Sequence, residues 1–168
     1  MDISDDYIRL IVESYAEYLP MFPDGRIDYS KSDTAPVLTV FVFAKSSLLL
    51  LRRSTKVRTY KAKWNTIAGY IDEIKPLKTK INEELKEEIG ISQEIIQSYF
   101  FGEPYSFTDS IAGYTWIVHP AKVILKVKPS ITLDWEHTEY EWIKPQDINT
   151  YDTVPKLHES LDRILSDC

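Results

Sequence analysis

The sequence predicts an α+β fold, in which one mixed β-sheet is flanked by helices. Short apolar runs of strand length alternate with segments of helical periodicity along the chain. No repeat, linker or change in composition divides the 168 residues, and a hydrophobic content of 43% is enough for one core. We therefore expect a single domain over residues 1–168, with a helical extension and loop at 1–34 and the core at 35–168.

The N-terminal third is predicted to contain one helix and a pair of strands. Apolar and aromatic side chains recur at helical spacing over residues 5–19, and Pro20 favours a stop there. Residues 20–36 are rich in turn-forming residues and indicate an irregular connection. Apolar runs at 37–44 and 48–53, separated by a short polar turn, indicate a strand pair.

The remaining chain alternates helix and strand. A loop containing Pro76 precedes a helix predicted over residues 77–89, which Gly90 ends. Apolar patterning then predicts strands at 95–101, 114–118, 121–127 and 140–143. A last amphipathic stretch over residues 155–165 predicts a closing helix.

Charge and cysteine content exclude several classes of protein. The formal net charge is −6 and the pI is about 5.1, which argues against DNA binding because that needs clustered Lys and Arg. A small phosphorylated ligand stays possible, since a bound cation can reverse the sign within one pocket. The single Cys168 cannot form an internal disulfide, and no apolar stretch is long enough for a membrane span. These features predict a cytoplasmic protein without a membrane partner.

The helix predicted at 77–89 carries its acidic residues in an unusual place. Its buried stripe is expected to contain Ile81, Leu85 and Ile89, and Glu84 and Glu88 lie beside that stripe. Glu87 lies three residues after Glu84, and around the helix it is one position further from the buried stripe. Carboxylates so close to a core repel one another.

Two interpretations of these carboxylates stay open at this point. A solvated, charged helix face is the common one for sequences rich in Glu and Lys. However, Lys80 can pair only with Glu84, at i,i+4 spacing, so the repulsion between Glu87 and Glu88 is not compensated by a cation. A divalent cation with oxygen ligands would relieve all three carboxylates.

The segment 69–91 resembles the Nudix box, the signature of the Nudix hydrolases. The residues that match the signature are Gly69, Glu84, Leu85, Glu87, Glu88, Gly90 and Ile91. The flanks also resemble the family, because Trp64 precedes an apolar–small–Gly turn and an acidic loop precedes Trp142. The resemblance covers about residues 37–148 and implies an α/β/α sandwich with a mixed sheet.

The resemblance also implies a cofactor and roles for particular residues. Mg²⁺ or Mn²⁺ would be held by Glu84, Glu87 and Glu88 together with the backbone carbonyl of Ala68. Glu136, expected on a loop facing this helix, would be the general base or a further metal ligand, with Glu139 as the alternative. Of these residues, the resemblance implies direct catalytic roles for Glu87, Glu88 and Glu136.

Two positions of the box depart from the family pattern. Lys75 stands where the family has Glu, and Glu83 stands where it has Arg. Our hypothesis is a charge-swapped structural pair that still ties the loop to the helix. The competing interpretation is a decayed site that binds a nucleotide without hydrolysing it.

Cations and aromatics near the box are candidates for substrate binding. Arg52, Arg53, Lys61 and Lys63 could bind phosphates, although each is equally consistent with a surface cation. Tyr60 could stack on a base, as could Trp64, Tyr105 and Phe107, although aromatics beside strands are more often core residues.

The resemblance favours a metal-dependent hydrolase that cleaves the pyrophosphate bond of a nucleoside diphosphate linked to another group. Such an enzyme acts on a small molecule, and the first helix is a possible homodimer contact. The alternative is a catalytically weak Nudix module that binds nucleotide or RNA. An isoprenyl diphosphate isomerase ranks last, because the only cysteine is terminal.

Overall fold

The computed structural model describes residues 3–166, so Cys168 lies outside the described residues. Three helices flank one mixed sheet, as predicted. The helices are α1 (Asp5–Ala16), α2 (Leu77–Ile89) and α3 (Leu157–Leu165). The strands are β1 (Thr34–Ala44), β2 (Ser47–Arg53), β3 (Trp64–Asn65), β4 (Ile67–Tyr70), β5 (Ile96–Phe101), β6 (Tyr105–Asp109), β7 (Tyr114–Leu125) and β8 (His137–Ile143).

The long strands β1 and β7 form the centre of the sheet. They pair in parallel from Thr34 opposite Thr115 to Phe43 opposite Ile124. Strands β2 and β4 are antiparallel to β1, whereas β5 and β6 are antiparallel to β7. Strand β8 extends the sheet beyond β2. One parallel pair among antiparallel neighbours makes this a mixed sheet.

Side chains of β1 and β2 alternate between two cores, which places helices on both faces of the sheet. Leu38, Val40 and Leu49 lie in the larger core, with the buried stripes of α1 and α2. Phe41 and Leu48 lie in the smaller core, with α3. None of the described helices is long and apolar enough to cross a bilayer.

Helix α2 has the bounds predicted from the sequence. Gly90 adopts a left-handed conformation (φ 71°), and its N–H bonds to carbonyls of the last turn, which ends the helix. Helix α1 is shorter than predicted and ends at Ala16, after which the N–H groups of Tyr18 and Leu19 both bond to the Tyr15 carbonyl. Helix α3 starts at Leu157 and not at 155, because Lys156 has a φ of 64°.

The predicted break between 118 and 121 is wrong, since β7 runs continuously through Pro120. Its antiparallel partner changes there, with Val118 opposite Tyr105 of β6 and Ala121 opposite Phe101 of β5. Proline has no backbone N–H, but at this switch Pro120 only has to accept a hydrogen bond, so no bond of the sheet is lost. Its carbonyl accepts the N–H of Gly102 at 2.9 Å.

Other strand boundaries also differ from the predictions. The region 102–113, where no strand was predicted, contains β6, and the short strands β3 and β4 were not predicted either. Strand β8 begins at His137 and not at 140, because Arg53 of β2 already pairs with His137. Strand β1 starts at Thr34 because β7 offers a parallel partner from Thr115 onward.

Candidate metal and substrate site

A cavity of about 780 Å³ is lined by residues of α2, α3 and β4. The α2 residues that line it are Lys80, Glu83, Glu84, Glu87 and Glu88. Glu136, Ala68 and Gly69 line it as well, so the structure brings together all the acidic residues that the resemblance implied for the metal.

Gly69 allows α2 to approach β4 closely. A Cβ on Gly69 would lie 2.4 Å from Oε1 of Glu84 and 2.8 Å from its carboxyl carbon. No real side chain contact is this short, so any larger residue would push the Glu84 carboxylate out of its place. The glycine that opens the box is therefore a steric requirement of the Glu84 position.

Lys80 is a nearly buried ammonium group between two carboxylates. Its Nζ lies 3.3 Å from Oε1 of Glu84 and 3.3 Å from Oδ1 of Asp72. Burial lowers the pKa of Lys80, but Glu84 and Asp72 outweigh that effect and raise it. Lys80 thus stays charged and ties α2 to the loop that follows β4.

Burial dominates the electrostatics of Glu84 and Glu88. It raises the pKa of Glu84 to about 7, an effect that Lys80 opposes and Glu87 and Glu136 reinforce. It also raises the pKa of Glu88 well above its ordinary value, and the neighbouring carboxylates add to this. Glu88 is only 3% exposed, and its Oε2 has no hydrogen-bond partner.

The loop before β8 brings Glu136 to this cluster. The N–H of Asp134 bonds to the carbonyl of Glu88 at 3.2 Å, and the N–H of Ser54 bonds to the carbonyl of Glu136 at 2.7 Å. The carboxylate of Asp134 accepts the N–H of Glu136 and contacts the ring of His137, both at 3.1 Å. Burial and then Asp134 raise the pKa of Glu136.

These residues fit a hard divalent cation. The donors are carboxylates, they repel one another, and the orphaned Oε2 of Glu88 needs a positive partner. Over residues 3–166, however, no three acidic, histidine or cysteine side chains already converge on one point. Glu side chains must therefore rotate to enclose an ion.

Lys75 and Glu83 meet at the rim of the cavity. Lys75 Nζ lies 2.9 Å from both carboxylate oxygens of Glu83, and also 2.9 Å from Oε1 of Glu73. Glu83 and then Glu73 raise the pKa of Lys75. The two residues that depart from the family pattern are thus in contact, more exposed than the pair of Lys80 and Glu84.

Arg53 is the one residue of the four candidate cations that lines the cavity. Its Nε donates to the carbonyl of Thr59 at 3.0 Å, which fixes the guanidinium in the wall. Burial lowers the pKa of Arg53, whereas the nearby Glu136 and Glu88 raise it. An arginine held beside carboxylates can face a phosphate across the same space.

Arg52, Lys61 and Lys63 do not line the cavity, which corrects their expected role. Strand alternation puts Arg52 opposite in direction to Arg53, and its Nη1 lies 3.3 Å from Glu139 of β8. Glu139, the alternative candidate for the base, does not line the cavity either. Lys63 pairs with Asp152 at 2.7 Å, and Lys61 is exposed on the loop.

Aromatic side chains form part of the cavity wall. The hydroxyl of Tyr60 donates to Asp109 at 2.8 Å and accepts the indole N–H of Trp116 at 2.9 Å. Tyr105 and Phe107 stack on each other at 6.2 Å and also line the cavity. Trp64 lies outside it, so of the candidate aromatics only three reach the site.

The sequence did not point to Asp24 and Arg26, which line the cavity from the N-terminal segment. Both belong to a stretch predicted only as an irregular connection, where no local pattern shows its distant contacts. Asp72 and Trp116 were missed as well. Asp72 contacts Lys80 at 3.3 Å, a pairing that only the fold shows.

Comparison with protein families gives one match. The model described as "NUDIX domain" matches residues 33–168. A search of curated protein sequences gave no match.

Solved structures share the fold at low sequence identity. A MutT protein from Methanosarcina mazei Go1 is 23% identical with a TM-score of 0.64, covering 80% of this chain and 94% of its own. An Ap4A hydrolase from C. elegans is 17% identical with a TM-score of 0.62, covering 79% and 96%. The NUDIX domain of Shewanella oneidensis NrtR, complexed with ADP ribose, is 11% identical with a TM-score of 0.66, covering 92% and 97%.

Proposed function

Because the chain belongs to the Nudix family, we propose that it is a divalent-metal-dependent hydrolase of a nucleoside diphosphate linked to another group. The observation that carries the proposal is Oε2 of Glu88, an unpaired carboxylate oxygen buried among other carboxylates at the wall of a large cavity. Such an oxygen is costly unless a cation or proton satisfies it.

The proposed cofactor is Mg²⁺ or Mn²⁺, held by Glu84, Glu87 and Glu88 with the carbonyl of Ala68. When bound, it would neutralise phosphate charge and favour attack by water on the diphosphate. Glu136 is proposed as the base that takes the proton of the attacking water, since its carboxylate faces the same space as Glu88. Arg53, which lies near Glu136 and Glu88, would hold a phosphate oxygen.

Two relatives support the substrate class. The similar structures include an Ap4A hydrolase and a domain complexed with ADP ribose, and each of these two compounds joins a nucleoside to a second group through phosphates. The family match spans 136 of the 168 residues, about 81%. The alignment with the ADP-ribose complex, at 92%, therefore extends into the N-terminal segment.

A screen of nucleoside diphosphate derivatives with Mg²⁺ and Mn²⁺ tests this proposal. Products identified by mass spectrometry in ¹⁸O-water would show which phosphorus is attacked. We expect Glu136→Gln to lower kcat by about 10²–10⁴-fold, as for other general bases. Glu94→Gln, an exposed acid beyond the end of α2, is the matched control and should keep full activity. Equal activity of both variants would remove Glu136 from the mechanism.

A module that binds nucleotide without turnover is the second candidate. It is favoured by Lys75 and Glu83, the two residues that depart from the family pattern. Nucleotide binding by calorimetry with no turnover of any diphosphate at any pH would select it.

A further inference from the structure

The loop between β7 and β8, residues 126–136, is attached to the end of α2. The last carbonyls of a helix have no N–H partner within the helix. In α2 the carbonyl of Ile89 accepts the N–H of Thr132 at 3.1 Å, and the carbonyl of Glu88 accepts the N–H of Asp134 at 3.2 Å. The loop therefore supplies donors to the last turn of α2, and these bonds fix its position relative to that helix.

Residues 134–137 form a tight turn that carries Glu136. The N–H of His137 bonds to the carbonyl of Asp134 at 3.4 Å, which closes the turn. The Oδ1 of Asp134 accepts the N–H of Glu136 at 3.1 Å, a bond that aspartate often makes to the residue two positions further on. Trp135 is exposed between them. The side chain of Asp134 therefore determines the direction of the Glu136 N–H.

The carboxylate of Asp134 is itself held by His137. The ring Nδ1 of His137 lies 3.1 Å from the same Oδ1, and the His137 side chain is only 2% exposed. Because a carboxylate can only accept, Nδ1 must carry the hydrogen of this bond. His137 is also the first residue of β8 and pairs with Arg53 of β2. Asp134 thus joins the end of α2 to the start of β8.

The backbone of Glu136 has a partner for each of its two polar groups. Its N–H donates to Asp134, and its carbonyl accepts the N–H of the buried Ser54 at 2.7 Å. Asp134 and Ser54 lie far apart in the sequence, so the Glu136 backbone is held from two directions. The Glu136 side chain can therefore change its rotamer without any movement of the loop.

A fixed backbone matters for a general base, because the base must lie within hydrogen-bond distance of the water from which it takes a proton. A displacement of about 1 Å can lower a rate by about 10²-fold. Glu136 lines the same cavity as Glu84, Glu87 and Glu88. The bonds from the loop to α2 therefore fix the distance between the Glu136 backbone and the carboxylates of that helix.

We propose that Asp134 is a positioning residue, which holds the backbone of Glu136 at a fixed place relative to the carboxylates of α2. It acts through Glu136, since Asp134 does not itself line the cavity. The inference rests on the proposed function, because Asp134 has this role only if Glu136 is the base. It adds a residue that lies outside the segment 69–91.

A double-mutant cycle of Asp134→Ala with Glu136→Gln tests the positioning role. Asp134→Ala removes the oxygen to which both N–H groups donate, so kcat should fall by about 10- to 100-fold while KM changes little. In the Glu136→Gln background the same change should cost no further activity, because the group that Asp134 positions is already absent. An equal loss of kcat in both backgrounds would overturn the positioning role.

Asp134→Asn is the conservative variant, because its amide oxygen can still accept both N–H groups. It should keep most of the wild-type kcat, and a loss as large as that of Asp134→Ala would contradict the role of the acceptor.

Asp28→Ala is the matched control. The Oδ1 of Asp28 accepts the N–H of Ser30 at 2.8 Å, the same bond to the residue two positions further on, but Asp28 does not line the cavity. This variant should lose a similar amount of stability in urea unfolding and keep its kcat. An equal fall in kcat would attribute the effect of Asp134→Ala to lost stability and overturn the proposal.

Amide hydrogen exchange, measured by NMR, separates failure of the positioning role from failure of the proposed function, because it needs no turnover. The Glu136 N–H should exchange at least about tenfold faster in Asp134→Ala than in the wild type or Asp134→Asn. Unchanged exchange in Asp134→Ala would overturn the attachment of Glu136 to Asp134. The expected exchange without turnover by the wild type would support the attachment and overturn the hydrolase proposal. Full activity of Glu136→Gln would overturn the positioning role.

Discussion

At Gly69, the absence of a Cβ atom leaves room for the carboxylate of Glu84. Because an alanine Cβ would lie 2.4 Å from Oε1 of Glu84, Gly69→Ala should displace that carboxylate. The φ of Gly69 is not in the left-handed region, so no backbone strain is added. We expect at least about a tenfold loss of kcat/KM and weaker Mn²⁺ binding, measured by kinetics and electron paramagnetic resonance.

The double variant Gly69→Ala with Glu84→Asp is the companion experiment. The shorter aspartate relieves the overlap between the alanine Cβ and the carboxylate. The double variant should therefore regain the unfolding free energy that Gly69→Ala loses, while its activity stays low. Full activity in Gly69→Ala alone would contradict the steric explanation.

The contact of Lys75 with Glu83 can be tested by reversing both charges. Lys75→Glu places a third carboxylate beside Glu73 and Glu83, and Glu83→Arg leaves Lys75 facing a cation. We expect each single variant to lose about 0.2–1 kcal/mol of unfolding free energy, the range for partly exposed pairs, and the double variant to recover most of it. Urea unfolding and Mg²⁺-dependent turnover measure the cycle. A double variant no better than the worse single variant would show that the pair has no role.

At the scale of elements, the bounds of a helix or strand could be predicted only where residues close in the sequence determine them. Helix α2 was predicted to the residue because Pro76 and Gly90 set its ends through neighbours in the chain. Strand β7 was split because the tolerance for Pro120 depends on two strands from elsewhere in the sequence. Strands β3 and β4, with two and four residues, are too short to show a period.

Strand β6 is a different case, because its sequence did contain a signal. Tyr105 and Phe107 alternate with Ser106 and Thr108, which is a two-residue period. No strand was predicted there, although this period was present. In the same way, strand alternation predicts that the side chains of Arg52 and Arg53 lie on opposite sides of the sheet. It does not predict which of the two arginines lines the cavity.

Helix α1 is held on the sheet by His119 of β7. The ring of His119 contacts the hydroxyl of Tyr7 at 3.0 Å and the carbonyl of Val37 at 3.2 Å. Burial lowers the pKa of His119, so the folded state binds fewer protons than the unfolded state. This contribution to stability is complete above the unfolded pKa of about 6.5 and decreases as the pH falls below it.

We therefore expect the wild type to lose more unfolding free energy between pH 7.5 and pH 5 than His119→Gln does. Urea unfolding at each pH measures the two slopes. The raised pKa of Glu84 acts in the opposite direction but is common to both proteins, so the difference isolates His119. Parallel slopes would mean that His119 titrates normally in the folded protein.

At the scale of the whole molecule, the candidate metal site opposes stability when no cation is bound. The pKa of Glu88 is raised by burial and by Glu84, so its ionised form is disfavoured in the folded state. We expect Glu88→Gln to be more stable than the wild type in EDTA at pH 8. Saturating Mg²⁺, at about 100 times Kd, should add about 2.7 kcal/mol to the wild type and nothing to Glu88→Gln.

Thermal unfolding with MgCl₂ against NaCl of equal ionic strength measures that increment. Glu94→Gln is again the control, with the full response to Mg²⁺ expected. An equal increment in Glu88→Gln would place the cation elsewhere.

The parallel pairing of β1 with β7 has a consequence for how the chain folds. Paired residues such as Thr34 and Thr115 are about eighty positions apart, so closing this ladder requires a long loop. During synthesis, β1 has no parallel neighbour until β7 has left the ribosome, and α1 has no His119 to contact. The centre of the sheet should therefore be completed late in translation, and nascent chains that stop before β7 should be the ones that need chaperones.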